Sequence, residues 1–238
     1  MDAHSESYAL ADLGPEVYER WRQSNLGAIT EDLQSRLLLR LIGDVASKAV
    51  LDVGCGNASP LQDLQPAEAV GLDGYAPSLE AAKAAHTHSR FVLGDIRHLP
   101  EHFKTGEFDA CIALDVIEHL PKEDGLKLIR DMESVARGRI IFLTPNGFLP
   151  QKHQTRDDLQ EHLSGWSAEE MRGLGFTVIG LLGPKSLRGE FHRLKRSPRI
   201  FWVLVALVRH FTRTRSHPDE AAAILCYRDV DPGRPPRA

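Results

Sequence analysis

The sequence predicts an α/β protein with one open sheet of seven strands. The sheet is doubly wound and mostly parallel, with an antiparallel last strand and helices on both faces. Two observations predict this. Short apolar runs alternate with helix-length amphipathic segments from about residue 45 to residue 183, and such alternation makes a parallel sheet covered on both sides. The first run also ends in a glycine corner, Gly54-Cys55-Gly56, where the chain leaves the strand in a sharp turn.

The strands come in order. Ala49–Gly54 is the first and Ala69–Asp73 the second, followed by a helix over Pro77–His86. Phe91–Asp95 is the third strand. Phe108–Val116 is the fourth, and its nearly continuous apolar run marks it as central. Leu120–Ala136 is the next helix, and Arg139–Thr144 the fifth strand. Ser167 caps a helix that Gly173 or Gly175 stops. Phe176–Leu182 and Ala223–Tyr227 are the sixth and seventh strands, an antiparallel pair interrupted by residues 184–220. Ahead of the sheet, Pro15 opens one helix, and a Thr30 cap opens another with Leu33, Leu37, Leu38, Leu41 and Ile42 at helical spacing. The division is therefore a helical cap over 1–44, a core over 45–183, a basic and apolar insertion over 184–220, and a last strand with a Pro/Arg tail over 221–238. All of it forms one domain.

The 238 residues carry a net charge of −4, which gives no global attraction to nucleic acid. Charge is unevenly spread. Lys185 to Arg215 holds nine Lys or Arg against one acid, Glu190, a net +8, leaving about −12 elsewhere. The apolar run Ile200–Val208 inside this stretch is too short to span a bilayer. It reads first as a helix packed on the domain or on a second copy. Peripheral membrane contact through 185–215 is the functional alternative. A monomer or a homodimer is expected. Three cysteines without a CxxC and an N-terminus lacking an apolar core suggest a reduced, cytoplasmic protein.

The glycine corner carries the functional signal. Asp52 stands two residues before Gly54, and Asp73 ends the second strand, 21 residues after Asp52. In open parallel sheets ligands bind outside the carboxyl ends of the strands, and an acid at the end of the second strand can accept both hydroxyls of an adenosine ribose. A nicotinamide dinucleotide would want a third glycine three positions after Gly56, where Ser59 stands. A sulfonium cofactor without a pyrophosphate has no such need.

VLDVGCGNA at 50–58, with GLDG at 71–74, resembles the first two signatures of class I S-adenosylmethionine (SAM)-dependent methyltransferases, a Rossmann-like fold. Gly94-Asp95-Ile96 resembles that family's adenine-binding turn. FDACIALDVIEHL at 108–120 and HLSGWSAEEMRGLGF at 162–176 resemble later segments of its small-molecule members. The likeness covers roughly residues 45–183 and the final strand. It implies SAM as cofactor and S-adenosylhomocysteine as product. Gly54, Cys55, Gly56 and Gly74 would line the cofactor, and Asp52 would help hold its ammonium group. Asp73 would grip the ribose, Asp95 would accept from the adenine amine, Ile96 would pack on the ring and Leu114 would lie near the methionine part. Cys55 serves there as a small residue rather than a nucleophile.

Three residues are candidates for catalysis. His119 would take a proton from the acceptor, Glu118 would orient it, and His162 would close the acceptor side beside Trp166. The expected reaction is methyl transfer to an O or N atom of a small molecule, such as a sugar or lipid-linked intermediate. The alternatives are an RNA methyltransferase, with or without a divalent metal, and a non-catalytic SAM-binding module. Asp115-x-x-Glu118-His119 with His162 resembles the metal site of small-RNA 3′-end methyltransferases, but Asp115 replaces a Glu of that pattern, and no metal is assigned.

Overall fold

The computed structural model describes residues 36–151, 159–187, 205–206 and 208–231. The helix expected after Pro15, the Thr30 cap, most of the Ile200–Val208 run and the Pro/Arg tail lie outside these residues.

Seven strands form one sheet: β1 (Ala49–Val53), β2 (Glu68–Asp73), β3 (Arg90–Leu93), β4 (Phe108–Leu114), β5 (Ala136–Pro145), β6 (Thr177–Pro184) and β7 (Ala221–Asp229). Their order is β3-β2-β1-β4-β5-β7-β6. β7 runs antiparallel to both β5 and β6, and the other pairings are parallel. The antiparallel last strand is as expected, but β7 inserts between β5 and β6 and leaves β6 at the edge. Chain order runs outward from β1 to β3 and then restarts at β4 on the other side of β1. In open α/β sheets such a reversal marks where ligands bind, here at the carboxyl ends of β1 and β4.

Burial explains the strands. β4 is buried almost throughout and pairs with β1 and β5. Among the described residues, the helices α1 (Leu61–Leu64), α2 (Ala76–Ala84), α3 (Leu99–His102), α4 (Lys122–Val135) and α5 (Ala168–Gly173) accompany the sheet, besides the helical residues 36–42. In α4, Gly125, Leu128, Ile129, Met132 and Val135 are buried, at the spacing of one helical face. Glu123 and Asp124 sit in its first turn, where the helix dipole favours acids. The Ser167 side chain caps α5 by accepting from Glu170 N at 3.1 Å. Gly175 follows with φ +88°, the left-handed residue that ends the helix.

Apolar cores lie on both faces of the sheet. One gathers α3, α4 and α5 residues with Phe108, Phe142 and Trp166. The other gathers Leu38 and Ile42, from the helical residues 36–42, with Leu61, Ile112 and Leu225. The described end of the basic insertion packs on the edge strand. A Cβ at Gly180 would lie 2.0 Å from Thr214 O, and one at Gly183 would lie 2.7 Å from Ala206 O. Among the described residues no helix is long and apolar enough to cross a membrane.

Candidate active site

The residues expected to hold the cofactor and those expected to meet the acceptor form two groups at the carboxyl ends of the strands. In the first group, Gly54 and Gly56 adopt φ +70° and +57°, backbone that glycine reaches without strain. Gly54 N and Cys55 N both donate to Leu72 O, at 2.7 and 3.1 Å, which pins the corner to β2. The Asp73 carboxylate accepts from Gly56 N at 2.8 Å and from Tyr75 N at 2.7 Å. Burial pushes this carboxyl above its ordinary range, and the two N–H donors partly oppose that shift. Two oxygens have further lone pairs, so Asp73 can still meet a diol. Gly94 N donates to Asp73 O, which brings the Gly94-Asp95-Ile96 turn beside the corner. Gly74 sits between Gly94 O and Leu159, as a Cβ there would lie 3.6 and 3.7 Å from them.

Two predicted cofactor residues are already engaged by neighbours. Asp52 is buried, and its Oδ2 accepts from Ser59 Oγ at 2.5 Å and lies 3.2 Å from His88 Nε2. Asp95 caps the 3₁₀ turn Ile96–His98 and holds the Arg97 guanidinium with both oxygens, at 2.6 to 3.0 Å. The Arg97 hydrogen bonds hold this carboxyl below the usual range. Ile96 packs partly buried against the main core, and Leu114 is half-buried at the end of β4. Cys55 is buried, and burial pushes its thiol far up, so it is not a nucleophile at neutral pH.

The second group is built by the turn after β4. Asp115 takes φ +53°, strained for a non-glycine residue, and is exposed. A 3₁₀ turn, Ile117–His119, comes next. Leu163 N and Ser164 N both donate to Glu118 O, at 2.8 and 3.0 Å, and His162 N donates to Gln151 O. These backbone bonds carry His162 across to His119. Ligand atoms of Glu118, His119 and His162 lie within 4.8 Å of one another. The structure thus brings together all three residues expected at the acceptor side.

Each imidazole is oriented by a carbonyl. His119 Nδ1 donates to Glu161 O at 3.1 Å, and His162 Nδ1 donates to Leu149 O at 2.7 Å. A carbonyl only accepts, so both rings carry the proton on Nδ1 and leave Nε2 as an acceptor. Burial, with His162 alongside, pushes His119 down to about 4. Burial also lowers His162. Glu118 accepts from Thr144 Oγ1 at 2.9 Å. Its carboxyl is pushed well above the ordinary range by burial and then by the nearby Asp115 charge. Trp166 is fully buried and donates to Ser164 Oγ at 3.0 Å. Lys122 Nζ lies 3.4 Å from the centroid of its ring. Trp166 therefore acts as core that supports the His162 segment rather than as a wall of the acceptor pocket.

Sequence reading missed His88, Ser59, Thr144 and Arg97. A buried histidine just before β3 has no local pattern that reports its partner. Ser59 was legible only as the residue that breaks a dinucleotide fingerprint.

Residues 51–142 match a family described as a methyltransferase domain. Over 119 residues the chain is 26% identical to the tRNA U34 carboxymethyltransferase of Campylobacter jejuni subsp. doylei, a match covering 47% of this chain and 40% of that protein. The chain therefore aligns with less than half the length of that relative. Among solved structures, a SAM-dependent methyltransferase from Archaeoglobus fulgidus is similar with a TM-score of 0.54 and 16% identity, over 89% of this chain and 96% of that one. The protein solved in complex with the Haloferax volcanii Trm112 methyltransferase activator is similar with a TM-score of 0.57 and 14% identity, over 91% and 96%. Residues 51–142 thus match a methyltransferase domain, and the described chain has the fold of solved SAM-dependent methyltransferases.

Proposed function

We propose that this chain transfers the methyl group of SAM to an oxygen or nitrogen atom of a small molecule, with sugars and lipid-linked intermediates as the first acceptors to test. One observation carries the reading. The acceptor cluster abuts the cofactor corner, because Gly54 lacks a Cβ and the Val116 side chain fills that place, 2.7 Å from where a Cβ would sit. Two residues beyond Val116 comes Glu118, followed by His119. An acceptor held by these residues would face a cofactor held by the corner.

The reaction is an in-line displacement. A lone pair of the acceptor atom forms the new bond to the methyl carbon. The carbon–sulfur bond breaks, its electrons stay on sulfur, and S-adenosylhomocysteine leaves. Holding the two reactants in line is worth about 7–11 kcal/mol in well-oriented systems. His119, with Nε2 unprotonated, accepts the acceptor's proton or its hydrogen bond. A lowered pKa makes it a weak base, so its contribution belongs at the low end of the ~10²–10⁴-fold range of general bases. The buried free thiols Cys55, Cys111 and Cys226 support placing the protein in a reducing compartment such as the cytoplasm.

Thermal stabilisation by S-adenosylhomocysteine and none by NAD is the expected result. A ligand that binds only the folded state adds ~2.7 kcal/mol at a hundredfold excess over Kd. Transfer of a tritiated methyl group from SAM into a small-molecule fraction of a cell extract would identify the acceptor class. Stabilisation by NAD alone would overturn the reading.

A second reading is favoured by the Glu118–His119–His162 geometry and by the tRNA-modifying relative: an RNA acceptor and a divalent cation. The residues fit a cation. One ring nitrogen from each histidine and a carboxylate oxygen lie within 4.8 Å of one another, and each ring donates its Nδ1–H to a backbone carbonyl, the usual support of a histidine that ligates a metal through its other nitrogen. A cation there would supply Lewis acidity toward an acceptor hydroxyl. Loss of transfer after chelation, restored by Mg²⁺ or Mn²⁺ and directed to RNA, would favour this second reading over the first.

A further inference from the structure

Beneath the glycine corner lies a polar cluster that the methyl transfer itself does not use. Asp52 is 3% exposed, and its Oδ2 has two partners from opposite directions. Ser59 Oγ donates at 2.5 Å from the far end of the loop, and His88 Nε2 lies at 3.2 Å from the turn before β3. Ser59 Oγ also accepts from Leu61 N at 3.2 Å, so the hydroxyl that closes the loop also starts α1. The other His88 nitrogen lies 2.8 Å from Thr87 Oγ1.

Room for this arrangement is made by small residues. A Cβ at Gly71 would lie 2.8 Å from Cys55 Sγ and 3.1 Å from His88 Nδ1. The histidine reaches Asp52 only because β2 carries no side chain there and the corner carries a small thiol. Hydrogen placement is self-consistent. Nε2–H donates to Asp52 when Nδ1 accepts from the Thr87 hydroxyl at 2.8 Å, the shorter of that hydroxyl's two contacts, the other being Ala82 O at 3.4 Å. A buried carboxylate with two donors avoids the cost of an unpartnered one.

We propose that His88 is a positioning residue for the cofactor. With Ser59 it clamps Asp52, and the clamped carboxylate keeps the Gly54–Asn57 corner in the shape that SAM meets. This role rests on the chain being a methyltransferase. A corner that must be ordered at the moment of binding weakens affinity, because the ordering cost is taken from the binding free energy. His88 reaches the corner from the β2 side of β1, whereas the Glu118 cluster follows β4 on the other side. Its removal therefore acts on cofactor binding.

The test is calorimetric titration of the full chain with S-adenosylhomocysteine, for wild type, His88→Leu, His88→Gln and Ser59→Ala. Gln can place an amide N–H where the imidazole Nε2–H lies, and Leu cannot. His88→Leu is expected to weaken binding about ten- to a hundredfold, the scale of a hydrogen bond to a charged group, and His88→Gln to restore it to within about threefold of wild type. The proposal is overturned if the Leu variant, folded by circular dichroism, binds within about twofold of wild type. It is also overturned if Gln binds as poorly as Leu, since the ring would then only fill space. Should His88→Leu not fold, Ser59→Ala decides: about fivefold or weaker binding supports the clamp, and unchanged binding removes it. A wild-type chain that binds no S-adenosylhomocysteine overturns the methyltransferase reading itself, an outcome distinct from any difference among variants.

Discussion

The rings of His119 and His162 meet edge to face, with centroids 4.7 Å apart and planes inclined by 72°. The contact joins the turn after β4 to the segment before α5, which are 43 residues apart in the chain. It sets both rings beside the Glu118 carboxyl. Burial and then the adjacent His162 lower His119, whereas His162 is lowered by burial and partly held up by its bond to Leu149 O.

This arrangement predicts a pH dependence of stability. His119 titrates near 6.5 in an unfolded chain and at about 4 in the fold. Between those values the unfolded chain takes up a proton that the folded chain does not, so stability is lost as the pH falls through this window. The shift corresponds to at most about 3 kcal/mol. Glu118 acts in the opposite sense, because its raised carboxyl favours the folded state at lower pH. Urea denaturation of wild type and His119→Gln at pH 7 and at acid pH separates the two. The variant is expected to lose less stability on acidification than wild type, and an equal loss would contradict the assignment.

Asp73 sets the shape of the cofactor corner and is expected to grip the ribose. Asp73→Asn turns one acceptor into a donor facing Gly56 N–H or Tyr75 N–H. S-adenosylhomocysteine affinity is expected to fall about ten- to a hundredfold, measured by titration calorimetry. Affinity close to that of wild type would mean that the sugar is held elsewhere.

Arg97 competes for Asp95. Both groups are more than one-third exposed, and exposed ion pairs contribute only about 0.2–1 kcal/mol. If the adenine amine needs Asp95, Arg97→Ala frees the carboxylate, and the cofactor product should bind up to about fivefold tighter. Asp95→Asn should bind it more weakly. Weaker binding by Arg97→Ala would show instead that the guanidinium itself contacts the cofactor.

How much of this was legible in the sequence depends on how local each signal is. The strand bounds lie in short continuous runs and agree with expectation to within three residues, and the Gly54–Gly56 corner, Asp73 and the Glu118-His119 pair stand out as short motifs at or beside strand ends. The Asp52–His88 contact spans 36 residues and depends on the absence of a side chain at Gly71, which no local pattern reports. The place of β7 between β5 and β6 is likewise a choice among nonlocal partners, all of them apolar strands. Arg97 on Asp95 was readable as a neighbour two positions away. Yet exposed side chains of opposite charge are common, and nothing in the spacing shows which acid is engaged.

The edge strand gives the last prediction. Gly180 of β6 leaves room for the π-helical turn His210–Thr214, since a Cβ there would lie 2.0 Å from Thr214 O and 2.8 Å from Ala221 Cβ. The first of these is backbone and cannot rotate away. Gly180→Ala must push the turn off the strand, and overpacking of this kind costs about 1–3 kcal/mol. Gly173, at the end of α5, has open space at its Cβ position and no left-handed φ, so Gly173→Ala should be neutral or stabilise by up to about 1 kcal/mol. Denaturation midpoints check both. Limited trypsin digestion adds a local readout, because Arg209, Arg213 and Arg215 flank or lie within the turn. Gly180→Ala should be cut there sooner than wild type. Its S-adenosylhomocysteine binding should be preserved, because β6 is separated from β1 by β7, β5 and β4. Equal midpoints for wild type and Gly180→Ala would mean that the described end of the basic segment is not held by the sheet edge.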